Sequence, residues 1–177
     1  MYLWLIGQFY RRINTKDMIS WGYFYRVGTR YYYRDRSVVK LPDNLPMPPT
    51  NDFSSLFCNC WRLQDITALS SWDTSNVTDM SYMFLGCLHL QDISALSKWD
   101  VSNVRNMTHL FGECASLQDI SALANWDTSN VTNMDFMFTD CKELRDITAL
   151  SSWDTSKVTD MSDMFYGCNI NMTNSGS

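Results

Sequence analysis

Residues 63–87 read LQDITALSSWDTSNVTDMSYMFLGC, and nearly the same words return from Leu90, from Leu117 and from Leu144. Trp72, Trp99, Trp126 and Trp153 lie 27 residues apart, and so do Cys60, Cys87, Cys114, Cys141 and Cys168. Asp65, Asp92, Asp119 and Asp146 keep the phase, as do Phe57, Phe84, Phe111, Phe138 and Phe165, so no insertion interrupts it. A fixed period of this length marks an array whose units bury their apolar faces against one another.

Within a unit, Met80, Met83, Phe84 and Cys87 fall at i, i+3, i+4 and i+7. That is the spacing of one helical face, and with Thr78 or Asp79 as the cap it predicts a helix of about two turns. After the cysteine, Leu90, Ile93 and Ala95 give an LxxLxA spacing, which predicts a short parallel strand. WDTSNV then turns the chain, because Asp100 and its equivalents can accept from backbone N–H groups two residues on. Trp99 packs beneath that turn and Val104 leads into the next helix. The expected fold is an α/β repeat solenoid, leucine-rich-repeat-like, of 27-residue coils with one short parallel strand and one short helix each. Its coils would stack about 4.8 Å apart.

Composition divides the chain. At 45% hydrophobic and 19% charged it lies in the globular range. The net charge of -5 hides an asymmetry: residues 1–40 hold eight Lys or Arg against Asp17 and Asp35, net +6, which leaves -11 for the remainder. Residues 1–40 are read as an aromatic, basic N-terminal cap, with WGYFYRVGTRYYYRDRSVV as a hairpin turning near Gly28. Residues 41–50 form a Pro-rich connector, residues 51–168 the solenoid and residues 169–177 a flexible tail. The apolar start MYLWLIGQFYRR carries Arg11 and Arg12 after its apolar run, the reverse of a signal peptide, and reads as structure. No run reaches the 18 or so apolar residues of a spanning helix. Basic aromatic strands can stack on nucleic acid bases, but the strands are short and the whole chain is acidic, which disfavours that partner.

Five of the six cysteines occupy the same repeat position, which predicts a ladder of buried thiols rather than disulfides. No CxxC pair or histidine set accompanies them, so no zinc site is expected. The Asp ladders at 92 and 100 and their equivalents admit two readings. Each carboxylate is satisfied by backbone N–H groups in its own turn, or calcium relieves the repulsion between layers. The repeat also creates glycosylation sequons at Asn76, Asn106 and Asn130, and another stands at Asn171, without requiring any sugar.

Catalysis finds little support. His89 and His109 occupy different repeat positions, Cys87 near His89 is the one Cys and His proximity, and no phosphate loop is present. No catalytic residue, metal or cofactor is expected. Recognition is sought where units differ, around the predicted helix. Trp61, Arg62, Tyr82, His89, His109 and Phe136 are the candidate partner-binding residues, because aromatic and arginine side chains anchor protein interfaces.

The phrases WDTSNVTDMSYMFLGC, WDVSNVRNMTHLFGEC, WDTSNVTNMDFMFTDC and WDTSKVTDMSDMFYGC resemble the BspA-like leucine-rich repeats of bacterial surface proteins, also described as the mycoplasma-type lipoprotein repeat. The resemblance spans residues 50–168. It implies a non-enzymatic protein, secreted or displayed at the cell surface, that serves as a protein-binding or adhesion module for a host or neighbouring surface protein. No signal peptide or anchor is evident in the chain. The alternatives are a structural spacer in a surface assembly and an intracellular protein-interaction scaffold.

Overall fold

The computed structural model describes residues 19–21 and 23–170. The N-terminal stretch MYLWLIGQFYRR and the last seven residues, 171–177, lie outside these. Three short antiparallel strands open the described chain: β1 (Ile19–Trp21), β2 (Phe24–Val27) and β3 (Arg30–Tyr33), in the order β1-β2-β3. Gly28, at φ 61°, supplies the left-handed residue that the β2–β3 turn needs. Opposite partners Phe24 and Tyr33 are both buried and meet edge to face at 5.6 Å. Their rings lie on Phe57 at 6.3 and 5.5 Å, so the hairpin covers the first repeat unit with aromatic surface. Between hairpin and repeats, Leu41, Leu45 and Pro48 are buried, and the Trp72 indole donates to the Leu45 carbonyl at 3.1 Å.

The α/β repeat solenoid with a strand and a helix per coil is not what the chain forms. Among the described residues there is no α-helix, and the repeats contribute no strand beyond isolated parallel bridges. Where the strand was expected, the chain makes a 3-10 turn: Thr67–Ser71, Ser94–Leu96, Ser121–Leu123 and Thr148–Ser152. The cause is local. Asp92 Oδ1 takes the Ser94 N–H at 2.8 Å, which bends the backbone and brings Leu96 rather than Ala95 inward. Leu90, Ile93 and Leu96 are the buried residues, a period of three that suits a 3-10 turn.

Where the helix was expected there is a row of tight turns. Within 80–87, i to i+3 bonds link Met83 to Met80, Leu85 to Tyr82 and Cys87 to Phe84, while Tyr82 and Gly86 stand at φ 59° and 72°. Left-handed residues four apart forbid a continuous right-handed helix. The same pair of positions has positive φ in every unit: 55 and 59, 82 and 86, 109 and 113, 136 and 140, 163 and 167. The i, i+3, i+4, i+7 spacing of buried residues is therefore produced by repeated turns.

This conformation sends alternate N–H groups out of the unit. Met80, Tyr82, Phe84 and Gly86 donate to the carbonyls of Asn106, Thr108, Leu110 and Gly112, at 2.8–3.0 Å. Phe53, Ser55, Phe57 and Asn59 do the same one period earlier, and two further sets follow, ending at Asp160, Ser162, Met164 and Tyr166. Parallel bridges join Asp52, Asp79, Asn106, Asn133 and Asp160 in succession. The 27-residue units thus lie as layers linked by four columns of peptide hydrogen bonds running in one direction, while a fifth, in which Thr78, Arg105, Thr132 and Thr159 donate to Asn51, Thr78, Arg105 and Thr132, runs in the other.

The core follows the columns. Phe57, Phe84, Phe111, Phe138 and Phe165 stack with neighbouring centroids 5.6–5.7 Å apart, and the first four are fully buried. Each such ring contributes roughly 1.5–3 kcal/mol through burial. Trp72 lies parallel to Trp99 at 6.5 Å, and Trp126 to Trp153 at 6.3 Å. Trp99, Trp126 and Trp153 each donate Nε1–H to a leucine carbonyl of the preceding layer, at 2.9–3.1 Å. These bonds let a large amphipathic ring be buried without an unpaired donor.

Candidate functional site

The six candidate residues fall into two groups, and no ring contact joins them. Tyr82, His109 and Phe136 hold one repeat position in three successive layers, all half-buried, all at positive φ (59°, 53° and 53°). Their rings form a column: Tyr82 on His109 at 5.0 Å and 18°, His109 on Phe136 at 4.8 Å and 25°. Ser55 begins this position and Asp163 ends it, also at positive φ, so the backbone accepts small polar residues there. Bulky side chains in the left-handed region cost on the order of 1–2 kcal/mol each, and such outliers gather at functional surfaces. Ring stacking offsets part of that cost.

The second group is a corner formed by Trp61, Arg62 and His89. Trp61 is 47% exposed, with the Arg62 guanidinium 5.6 Å from its ring centre and the His89 ring edge-on at 6.3 Å. His89 Nδ1 lies 2.7 Å from the Trp61 carbonyl oxygen, which fixes the imidazole across two layers. Leu88 is exposed beside it, at the position that Trp61 holds one layer earlier.

Burial shifts the titratable groups of the column and the thiols beside the core. Burial pushes the His109 imidazole below its usual value, and its Nδ1 is buried with no partner. The histidine therefore serves the column as a neutral ring. Burial also raises the thiols, Cys58 and Cys60 to about 11 and Cys87 and Cys114 higher still, so they are protonated and unreactive at neutral pH. All six cysteines are free. In the inner layers each Sγ points at a phenylalanine carbonyl of the layer before, as Cys114 does at Phe84, 3.3 Å away.

The carboxylates of the Asp ladders are occupied by backbone N–H groups. Three side chains per layer accept from the N–H two residues on: in one unit Asp119 from Ser121 at 2.8 Å, Asp127 from Ser129 at 3.0 Å and Asn133 from Asp135 at 2.8 Å. These bonds hold Asp65, Asp146, Asp154 and Asp160 below the ordinary carboxylate range. The hydroxyls of Ser75 and Ser129, then their N–H groups, do so for Asp73 and Asp127. The third ladder was not singled out from the sequence, although Asp52, Asp79, Asn106, Asn133 and Asp160 carry the same short-side-chain signal. Among the described residues no cluster of His, Cys, Asp or Glu has the arrangement of a metal site. A shallow open depression runs between Asp92 and Asp119, floored by Ile93 and Ala122. Among the described residues no helix is long and apolar enough to cross a membrane.

Sequence reasoning reads residues 1–40 as a cap but does not single out within it Tyr33 and Arg36, which meet carbonyls of the first layer. The Tyr33 N–H donates to the Leu56 carbonyl at 2.7 Å, and the Arg36 guanidinium donates to the carbonyl of Cys58. Among the described residues, Arg36 brings positive charge to the carbonyl end of the peptide columns. Opposite charge at the end of aligned peptide dipoles is favourable.

No curated protein and no solved structure matches the chain. A family model does, over residues 51–176, which takes in the whole described repeat region. The family carries the description "Mycoplasma protein of unknown function" and is related to BspA-like repeat proteins; the match supplies no leucine-rich repeat. The chain belongs to the Mycoplasma family of unknown function DUF285.

Proposed function

We propose that the protein is a non-enzymatic binding module of the BspA-like surface class, which presents its aromatic column and tryptophan corner to a host or neighbouring surface protein. The observation that carries this reading is the column Tyr82–His109–Phe136. Three rings are held half-exposed at a strained backbone position that Ser55 and Asp163 fill in the outer layers. The buried core does not require rings there. Layers fixed by hydrogen bonds hold the column rigidly, so binding would lose little side-chain entropy.

Surface placement is tested by protease shaving of intact cells. Peptides from the WDTSNVTDM units should be released while a cytosolic marker stays inside. Full protection of the repeats would overturn surface display and favour an intracellular scaffold. A structural spacer would tolerate replacement of Tyr82, His109 and Phe136 without loss of any binding.

A further inference from the structure

The shared direction of the four adjacent peptide columns gives the two ends of that row opposite chemistry. At the carbonyl end three of the four acceptors are met: Leu56 by the Tyr33 N–H, Cys58 by Arg36 and Asp52 by the Thr50 hydroxyl at 3.4 Å. At the other end the N–H groups of Met161, Asp163, Phe165 and Gly167 have no acceptor among the described residues. Asp163 and Gly167 keep the positive φ of their equivalents, 51° and 76°, so the last row has the conformation of the rows that do pair. Its apolar side is also open: Met161 is 45% exposed, whereas Met80, Met107 and Met134 are fully buried.

We propose that this edge docks a polypeptide segment carrying the same W-D-x-S-x-V-x-x-M phrase in another protein, with its backbone carbonyls uncapped. Aligned peptide dipoles of about 3.5 D each leave a positive, donor-rich edge that demands acceptors at alternate residues. Two flanking groups sharpen the demand. In the inner layers the carbonyl of Leu123 takes the indole N–H of Trp153, and that of Thr132 takes the N–H of Thr159. Their counterparts Leu150 and Thr159 have no such donor among the described residues. The edge therefore fits a tryptophan at the phrase's own spacing from the carbonyl row. A second copy fits poorly, because the hairpin rings of Phe24 and Tyr33 cover its first layer and Tyr33 and Arg36 hold two of its carbonyls. Two edges meeting face to face would set N–H row against N–H row.

The test is amide hydrogen exchange on the full chain at dilute and concentrated protein, with a synthetic peptide of residues 126–141, WDTSNVTNMDFMFTDC, added to millimolar. The proposal expects exchange at Met161, Asp163, Phe165 and Gly167 to slow at least tenfold. The same peptide with Trp126→Ala should be at least tenfold weaker, and a scrambled peptide should have no effect. Absence of protection at millimolar peptide, or equal protection by the scrambled sequence, overturns it. Protection that grows with protein concentration alone overturns it in favour of a second copy. Protection in the free chain that is lost on deleting residues 171–177 overturns it in favour of the chain's own end.

Discussion

Phe111→Ala removes the central ring of the phenylalanine column. The ring is fully buried between Phe84, 5.7 Å away and 1° from parallel, and Phe138, 5.6 Å away at 12°. Phe→Ala in a core that cannot collapse costs about 3–5 kcal/mol, and peptide hydrogen bonds on both sides hold these layers apart. Two ring pairs at roughly 0.5–1.5 kcal/mol each place the loss in the upper half of that range, about 4–5 kcal/mol. Phe165→Ala is the internal comparison: that ring is half-buried and stacks on Phe138 alone at 5.6 Å, so its loss is expected at about 1–2 kcal/mol. Against a total stability on the order of 5–15 kcal/mol, the first variant loses about a quarter or more and the second less than half as much as the first. Urea denaturation followed by tryptophan fluorescence measures both, with an unchanged slope confirming that only stability moved. Equal losses for the two variants, or a loss below about 2 kcal/mol for Phe111→Ala, would refute the stacked-layer account of the core.

Other expectations come from polar groups. Arg36→Met leaves the Cys58 carbonyl without its charged donor, and urea titration should read a loss of about 1.5–3 kcal/mol. For Asp127, whose carboxyl is held below its usual range by Ser129, the folded pKa lies under the unfolded value of about 3.9. Its stabilisation is complete above that value and disappears as pH falls through the folded one. Asp127→Asn keeps the acceptor and should hold the melting temperature at pH 7 while reducing the fall in acid; Asp127→Ala should lower it at pH 7. His109 has the opposite origin: burial depresses a basic group, so the folded protein favours the neutral ring. Stability should be full above the unfolded histidine value of about 6.5 and decline as pH falls toward the folded one. Thermal melts of His109→Phe should lack that decline, and a decline identical to wild type would exclude His109 as its source.

The period, the core and the residues that vary between layers were legible in the sequence, because each is a matter of which side chain recurs where. Phe57, Trp72 and Cys60 and their equivalents are buried at 27-residue intervals, apart from the half-buried Phe165 and Cys168 of the last layer. The backbone between them was not legible from apolar spacing. Met80, Met83, Phe84 and Cys87 fit a helical face and equally fit a row of turns whose left-handed residues stand four apart. The distinguishing signal lay at positions 59, 86, 113, 140 and 167. There Asn, Gly, Asp and Gly, with Glu113 as the exception, are the residue types that tolerate positive φ. Gly86, inside the last turn of the expected helix, stands at φ 72°, and a Cβ there would lie 2.5 Å from Asn59 Oδ1. The expected strand failed for a related reason. Asp92 captures a backbone N–H two residues on, and that short-range bond outweighs the weak strand preference of a segment whose one β-branched residue is Ile93.

For the candidate surface, choosing positions that differ between layers selected side chains that the fold leaves accessible. It did not reveal that Tyr82, His109 and Phe136 share one column while Trp61, Arg62 and His89 form a separate corner. That grouping depends on the left-handed backbone at the first set and on the His89–Trp61 carbonyl contact at the second.

The measurement that tests the functional account most directly is saturation binding of the labelled full chain to intact host cells, before and after the cells are treated with protease. It is run beside the variant Tyr82→Ser/His109→Ser/Phe136→Ser, whose serines match the residue that position 55 already holds at positive φ. The account predicts saturable binding that protease treatment abolishes and that the variant loses at least tenfold, with its melting transition still cooperative. Saturable binding of equal affinity by wild type and variant would contradict the aromatic column as the recognition surface, and no saturable binding at all would contradict the adhesion reading.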